Sequence, residues 1–240
     1  IVSLMSRLHP EPIKTFSIGF DTGFSEAENA RHVAGLVNAD HHEVIVGSGD
    51  LIANIPRTLW ARESPVSEPS DIPIYLLAKL ARTKVKVVLS GEGSDEILAG
   101  YPKYAFEHAF NRLLGWVPRR ALGMVASSLP FGMRRLQLAL ECVSRPDRFE
   151  RHAGWFGAFS EGERARLLDD SLRTGPDIHD FSRDALKTRK TTGSVEEMLV
   201  LDMIHWLPAN LLLRGDRMTM ANSLELRCPF LDYRLVDYAS

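Results

Sequence analysis

An α/β fold, with a parallel sheet covered on both faces by helices and a largely helical C-terminal half, is predicted from three observations. Short β-branched or aromatic runs recur at 15–20, 44–46 and 85–89, amphipathic stretches alternate with them, and each run ends in a turn rich in glycine, serine or acid. Strands that alternate with helices of about ten residues imply βαβ units, hence parallel pairing with right-handed crossovers. Ligands in such sheets bind at the carboxyl ends of the strands, so the turns after Phe20, Val46 and Leu89 are the places to search.

Taken in order, Ile1, Leu4, Met5 and Leu8 share one helical face, with no capping residue ahead of them, so this helix reads as the continuation of an earlier one. The first strand, TFSIGF, leads through Asp21 and Gly23 to Ser25 and Glu28, which have capping-box spacing for a helix that presents Ala30, Val33, Ala34 and Val37 and ends near Asn38. Val44, Ile45 and Val46 form the second strand. It is closed by Gly47-Ser48-Gly49-Asp50, and Leu51, Ile52, Ile55 and Leu59 follow at helical spacing. A proline-broken loop spans 64–73, a helix 74–82, and the third strand 85–89. No strand is expected from Ala105 onward. That half reads as helices, one of them opened by Ser194 and Glu197 at capping-box spacing, and Leu235, Val236 and Tyr238 suggest a helix still running at Ser240. The division expected is 1–104, an α/β part, and 105–240, a helical part.

Composition narrows the function classes. The 240 residues are 45% hydrophobic and 25% charged, with a net charge of −2, so no general basic field exists to draw nucleic acid or an anionic membrane surface. The apolar runs stop well short of the roughly 18 residues a membrane helix needs. Cys142 and Cys228 match neither a CxxC pair nor a disulfide framework, which suits core residues in a reducing cytoplasm. His41 and His42 are adjacent on a strand and point to opposite faces, which argues for structural roles rather than a metal pair.

The chemistry concentrates in VKVVLSGEGSDEILAGYPKY, residues 85–104. Directly after the third strand, Ser90-Gly91-Glu92-Gly93-Ser94-Asp95-Glu96 combines two glycines, two hydroxyls and three carboxylates. Glycines let peptide N–H groups approach a phosphate, and a helix starting near Ser94 adds a positive end. Carboxylates repel a phosphate unless a cation such as Mg²⁺ lies between them. Composition alone therefore leaves two readings, a metal-bridged phosphate site or an acidic helix start in which Asp95 and Glu96 complement the dipole. The loop is neither GxxxxGK[ST] nor GxGxxG. Gly47-Ser48-Gly49-Asp50 offers a second, weaker phosphate cradle of the same type.

VVLSGEGSDEILAGYPKY resembles the SGEGSDE segment of the asparagine synthetase family. TFSIGF, EPSDIPIYLLAKLAR and RGDRMTMANSLELRCPFLD resemble further family segments in the same order, leaving only 106–190 without a counterpart. The resemblance implies a PP-loop ATP-pyrophosphatase fold and an amide-forming ligase. ATP activates a carboxylate, with aspartate favoured, as an acyl-adenylate, and ammonia from a glutaminase domain outside this chain displaces AMP. It implies that Glu92 supports adenylate formation and amine attack, and that Asp95 holds Mg²⁺ and pyrophosphate. Ser90 and Gly91 would contact the nucleotide through backbone atoms, and Ile18 would line its adenine side. In the same block, Asp216, Arg217, Glu225, Arg227 and Asp232 read as buried or half-buried ion pairs pinning helices to the sheet, and Arg214 stands where many relatives have Lys. The family's SGGxDS loop precedes a helix resembling residues 1–8, its catalytic lysine follows the PFLD block, and its glutaminase nucleophile is an N-terminal cysteine. None of the three is found in residues 1–240, so these residues alone are expected to be inactive. Kindred chemistry on a β-lactam precursor, peptide, sugar or polymer remains an alternative, as does a nucleotide-binding module without catalysis. A flavodoxin-like redox protein fits poorly, because the loops carry carboxylates in place of the hydroxyls a flavin phosphate uses.

Overall fold

The computed structural model describes residues 1–21, 26–64, 69–113, 116–155, 166–172, 180–187 and 189–239. They form two compact units, one comprising 1–94 with 206–240 and the other 95–205. Within these residues the protein is mostly helical, with small parallel sheets.

The first unit contains α1 (Val2–Leu8), β1 (Lys14–Phe20), α2 (Ala27–Leu36), β2 (Asp40–Val46), α3 (Ser48–Arg62), α4 (Asp71–Arg82) and β3 (Val87–Leu89). It is completed by the helix Leu213–Met220, β4 (Glu225–Arg227) and the helix Tyr233–Ala239. β1 and β2 pair in parallel from Lys14 opposite Asp40 to Phe20 opposite Val46. β3 pairs in parallel with β4, Val88 opposite Leu226. Two expectations are corrected here. The strands form two separate two-stranded sheets, and a strand does occur after Tyr104. β4 escapes a periodicity reading because it has three residues, ELR, of which two are charged, and its partner lies far back along the chain.

α2 and α4 both pack on β1 and β2. On α4, Ala78 and Ala81 are nearly sealed, and their small side chains bring the helix close to Leu224, Phe16, Val85 and Val88. Burying Leu224, 1% exposed, contributes about 1.5–3 kcal/mol. α3 and α4 are joined by a sealed ion pair, Arg62 Nη1 to Asp71 Oδ1 at 2.8 Å. Burial raises the Asp71 pKa above its ordinary value, against the pull of Arg62 and Arg214. Arg214 is itself buried and donates to Ser70 Oγ at 2.8 Å. These are the pins expected of the downstream block, but at other residues. Of the block's own pairs, Arg227 with Glu225 is exposed, while Arg217 with Glu63 and Asp232 with Arg234 each join one half-buried member to an exposed one, and all three contribute little.

The second unit holds α5 (Ser94–Leu98) from Asp95 onward, α6 (Pro102–Leu113), α7 (Arg119–Ser128), α8 (Arg134–Ser144), α9 (Arg148–Gly154) and the helices Asp180–Lys187 and Ser194–Leu201. A widened helical stretch, Asp202–Leu212, carries the chain back into the first unit, with Pro208 inside it. No strand occurs among the described residues of 95–205. One core gathers Phe110, Leu122 and Val143, another Phe149, Leu186 and Leu201. Asp147 caps α9, accepting from the N–H groups of Phe149 and Glu150. The capping box expected at Ser194 and Glu197 does not form. Ser194 Oγ accepts from Asn111, and Glu197 is drawn to Arg148 and Thr191. The one expected at Ser25 lies outside the described residues.

Cys142 is buried and its thiol is pushed up to about 11, whereas Cys228, expected in the core, is half-exposed. No helix among the described residues is long and apolar enough to cross a membrane.

Candidate functional site

The loop 90–96 leaves β3 under tight local control. Ser90 N–H donates to Arg227 O of β4 at 3.0 Å, and Ser90 Oγ accepts from Glu92 N–H at 3.3 Å and touches Cys228 Sγ at 3.6 Å. Ser94 N–H donates to Gly91 O, closing the turn. Gly93 sits at φ +90°, and a Cβ there would overlap Leu231 of the PFLD segment, so only glycine fits. Gly91 is exposed, and a Cβ on it would meet nothing within 4 Å, so the space beside its Cα is open while its carbonyl is taken by Ser94.

The three carboxylates are treated differently. Glu92 is half-buried and lines a cavity of about 640 Å³ together with Ser90. Asp95 is exposed and lines neither cavity described here. Glu96 is 2% exposed and accepts from Tyr101 OH at 2.7 Å, so it does not act as a surface dipole partner. α5 has five residues, too few for a substantial macrodipole. Gly100 N–H donates to Asp95 O at 2.9 Å, and a Cβ at Gly100 would overlap Asp95 Oδ1.

The cavity is lined by residues 14–16 of β1 and 87–89 of β3, in each case consecutive positions. Successive strand residues point to opposite faces, so the cavity meets both strands along their edges. A second cavity of about 640 Å³ continues along β1, lined by residues 15–18 with Asn29 and His41. Ile18 lies there, and Val2, Thr15, Phe16 and Leu77 are common to both cavities. The structure thus brings Ser90 and Glu92 into one cavity, puts Ile18 in its neighbour, and leaves Gly91 open in the loop.

The other candidates have structural occupations. His41 accepts or donates at both ring nitrogens, to Thr15 Oγ1 at 2.8 Å and Ser17 Oγ at 3.0 Å, while His42 stacks on Phe16 and approaches Asp40 at 3.3 Å. At the turn after β2, Asp50 Oδ2 accepts from Gly47 N–H at 3.0 Å, so the chain's own carboxylate takes the place a phosphate would have. Among the described residues no three His, Cys, Asp or Glu gather as a metal cage. Mg²⁺ is commonly held by one or two carboxylates with phosphate oxygens and water. The single carboxylates of Glu92 and Asp95 fit a metal that arrives with phosphate, and do not fit a protein-only cage.

Residues that sequence reasoning passed over are Leu231, Gly93 and Gly100 as steric guides, and Lys103 and Asp202 as a sealed ion pair at 2.5 Å. Glycine next to acid was the only available signal for the first group. None existed for the pair.

Comparison with known proteins agrees in extent and kind. The chain is 35% identical over its whole length to asparagine synthetase [glutamine-hydrolyzing] 1 of Bacillus subtilis, and 36% identical over its whole length to a putative asparagine synthetase [glutamine-hydrolyzing] of Mycobacterium tuberculosis. It is 27% identical over 96% of its length to amidase chyE of Penicillium rubens. It spans 37–38% of the length of these relatives. The asparagine synthase profile matches residues 1–240 without a break, and the chain belongs to the asparagine synthase family.

Proposed function

We propose that these residues are part of an ATP-dependent amide-forming synthetase of the PP-loop type. The observation that carries this reading is the 90–96 loop, which opens at the carboxyl end of β3 with Ser90 and Glu92 facing a cavity. A substrate carboxylate oxygen attacks the α-phosphorus of ATP, the bond to pyrophosphate breaks, and an acyl-adenylate forms. Ammonia then attacks the acyl carbon, gives up a proton, and AMP leaves. Glu92 orients the amine or takes its proton, a task suited to a half-buried carboxylate. Asp95, exposed beside Gly100, would hold metal-bound pyrophosphate, and Ser90 together with the exposed Gly91 meets the nucleotide. Ile18 lines the adenine side from the second cavity. Mg²⁺ would neutralise the charge of the departing pyrophosphate.

Aspartate is the favoured substrate, with ammonia supplied by a glutaminase domain outside residues 1–240, in the cytoplasm. The relatives named as asparagine synthetases support it at 35–36% identity. Amidation of another acceptor is the second reading, favoured by the likeness to a protein named an amidase.

The isolated 240 residues are inactive in this reading. The resemblance implies an SGGxDS loop that residues 1–240 do not contain, and this reading assigns half of the phosphate clamp to that loop. Pyrophosphate release from ATP, Mg²⁺, aspartate and ammonia should be seen with the full-length protein and not with residues 1–240. Turnover by the isolated residues would sink this last clause. Absence of pyrophosphate release from the full-length protein with every carboxylate tried would sink the synthetase reading.

A further inference from the structure

A sealed polar cluster lies directly behind Asp95 and has no part in the chemistry above. Glu96 Oε1 takes the Tyr101 hydroxyl proton at 2.7 Å, while Oε2 is buried with no hydrogen-bond partner. Lys103 is 7% exposed, and its Nζ lies 2.5 Å from Asp202 Oδ2. Tyr104 OH donates to the same oxygen, and Nζ stands over the rings of Tyr101 and Tyr104 at 5.3 and 5.1 Å. The Lys103 charge is felt by Glu96 as well as by Asp202.

One buried cation therefore serves two buried carboxylates. An uncompensated buried charge costs several kcal/mol, so removing the ammonium would drive Glu96 to turn toward solvent. The consequence reaches Asp95 through helical geometry. On a helix of 3.6 residues per turn, neighbouring side chains diverge by about 100°, so anchoring Glu96 inward turns Asp95 outward. α5 is too short to hold that direction by its own hydrogen bonds, and the Gly100 N–H contact to Asp95 O assists.

We propose that Lys103 is a positioning residue for Asp95: paired with Asp202 and attracted to Glu96, it keeps Glu96 turned inward and so presents the Asp95 carboxylate to metal-bound phosphate. The proposal rests on the reading of Asp95 as the metal-pyrophosphate residue.

The test is Mn²⁺ affinity in the presence of pyrophosphate, read by electron paramagnetic resonance of free Mn²⁺ on the full-length protein. Lys103→Met/Asp202→Asn removes the ion pair at nearly constant volume, and Tyr101→Phe removes only the hydroxyl on Glu96. The double variant should bind Mn²⁺ about tenfold more weakly, the lower end of the scale of outer contacts to metal ligands, and Tyr101→Phe should weaken it by a smaller factor. Lys103→Arg should recover most of the affinity. A purely structural cluster would lower the melting temperature and leave Mn²⁺ affinity at the wild-type value, and that result overturns the proposal. Should the double variant not fold, unchanged affinity in Tyr101→Phe overturns it. Asp95→Asn separates the two levels. If it binds Mn²⁺ normally, the metal reading fails and the proposal with it. If it loses Mn²⁺ while the cluster variants keep it, only the positioning role fails.

Discussion

The turn after β2 and the turn after β3 are built from the same ingredients, glycine, serine and acid between a strand and a helix, yet they use their acids differently. At 47–50 the carboxylate of Asp50 folds back onto Gly47 N–H, and Asp21 lies beside Gly47 as well. At 90–96 the equivalent local bond is made by a hydroxyl, Ser90 Oγ accepting from Glu92 N–H. The acids are spared, one lining a cavity, one exposed and one drawn inward. In the proposed reading, the second turn serves as the site because its acids are not spent on a cap.

Substitution of the exposed acid breaks this comparison most directly. Asp95→Asn in the full-length protein should lower pyrophosphate release at least about 100-fold, within the range of losing one charge-stabilising group. Asp50→Ala should leave release within about twofold while costing roughly 1 kcal/mol of stability, the scale of a lost cap. Equal losses in both assays would remove the distinction between the turns.

Acid contrasts both turns with the helical unit. His152 is buried, and its pKa is lowered to about 4 by burial first and then by Arg151, Lys103 and Arg148. The unfolded chain binds this proton near pH 6.5, so the contribution to stability is complete above that value and is lost as pH falls toward 4. The loss is on the order of 3 kcal/mol, and hydrogen exchange should show residues 95–205 opening over this interval. His152→Gln should flatten the pH dependence.

The two glycines give the next contrast. Gly93→Ala should destabilise by about 2 kcal/mol, because a side chain at positive φ is strained and would meet Leu231. Gly49→Ala, in α3 with nothing within 4 Å, should stabilise by about 0.5 kcal/mol in a denaturant titration.

Much of the first unit was legible because its signals are local. β1, α2, β2, α3 and α4 each carry a periodic pattern, and the structure finds them with ends shifted by a few residues. The structural roles expected of His41 and His42 followed from strand alternation alone. β4 was not legible, since a three-residue strand exists only through pairing with β3. The same applies to Ser194 and Glu197, whose spacing promised a cap until Asn111, Arg148 and Thr191 competed for them.

By itself the sequence determined the chemistry present in the 90–96 loop and the family to which that loop belongs, because residue identity and order are enough for both. The disposition of the acids was decided only by tertiary structure. Glu92, Asp95 and Glu96 are equivalent anions on paper, and they diverge because Glu92 lines a cavity, Asp95 lies exposed against Gly100 and Glu96 is buried under the Tyr101 hydroxyl. Desolvation and steric overlap depend on what surrounds a group, and those surroundings are assembled by the next turn of chain, Gly100 and Tyr101, in a fold that residue types alone do not specify.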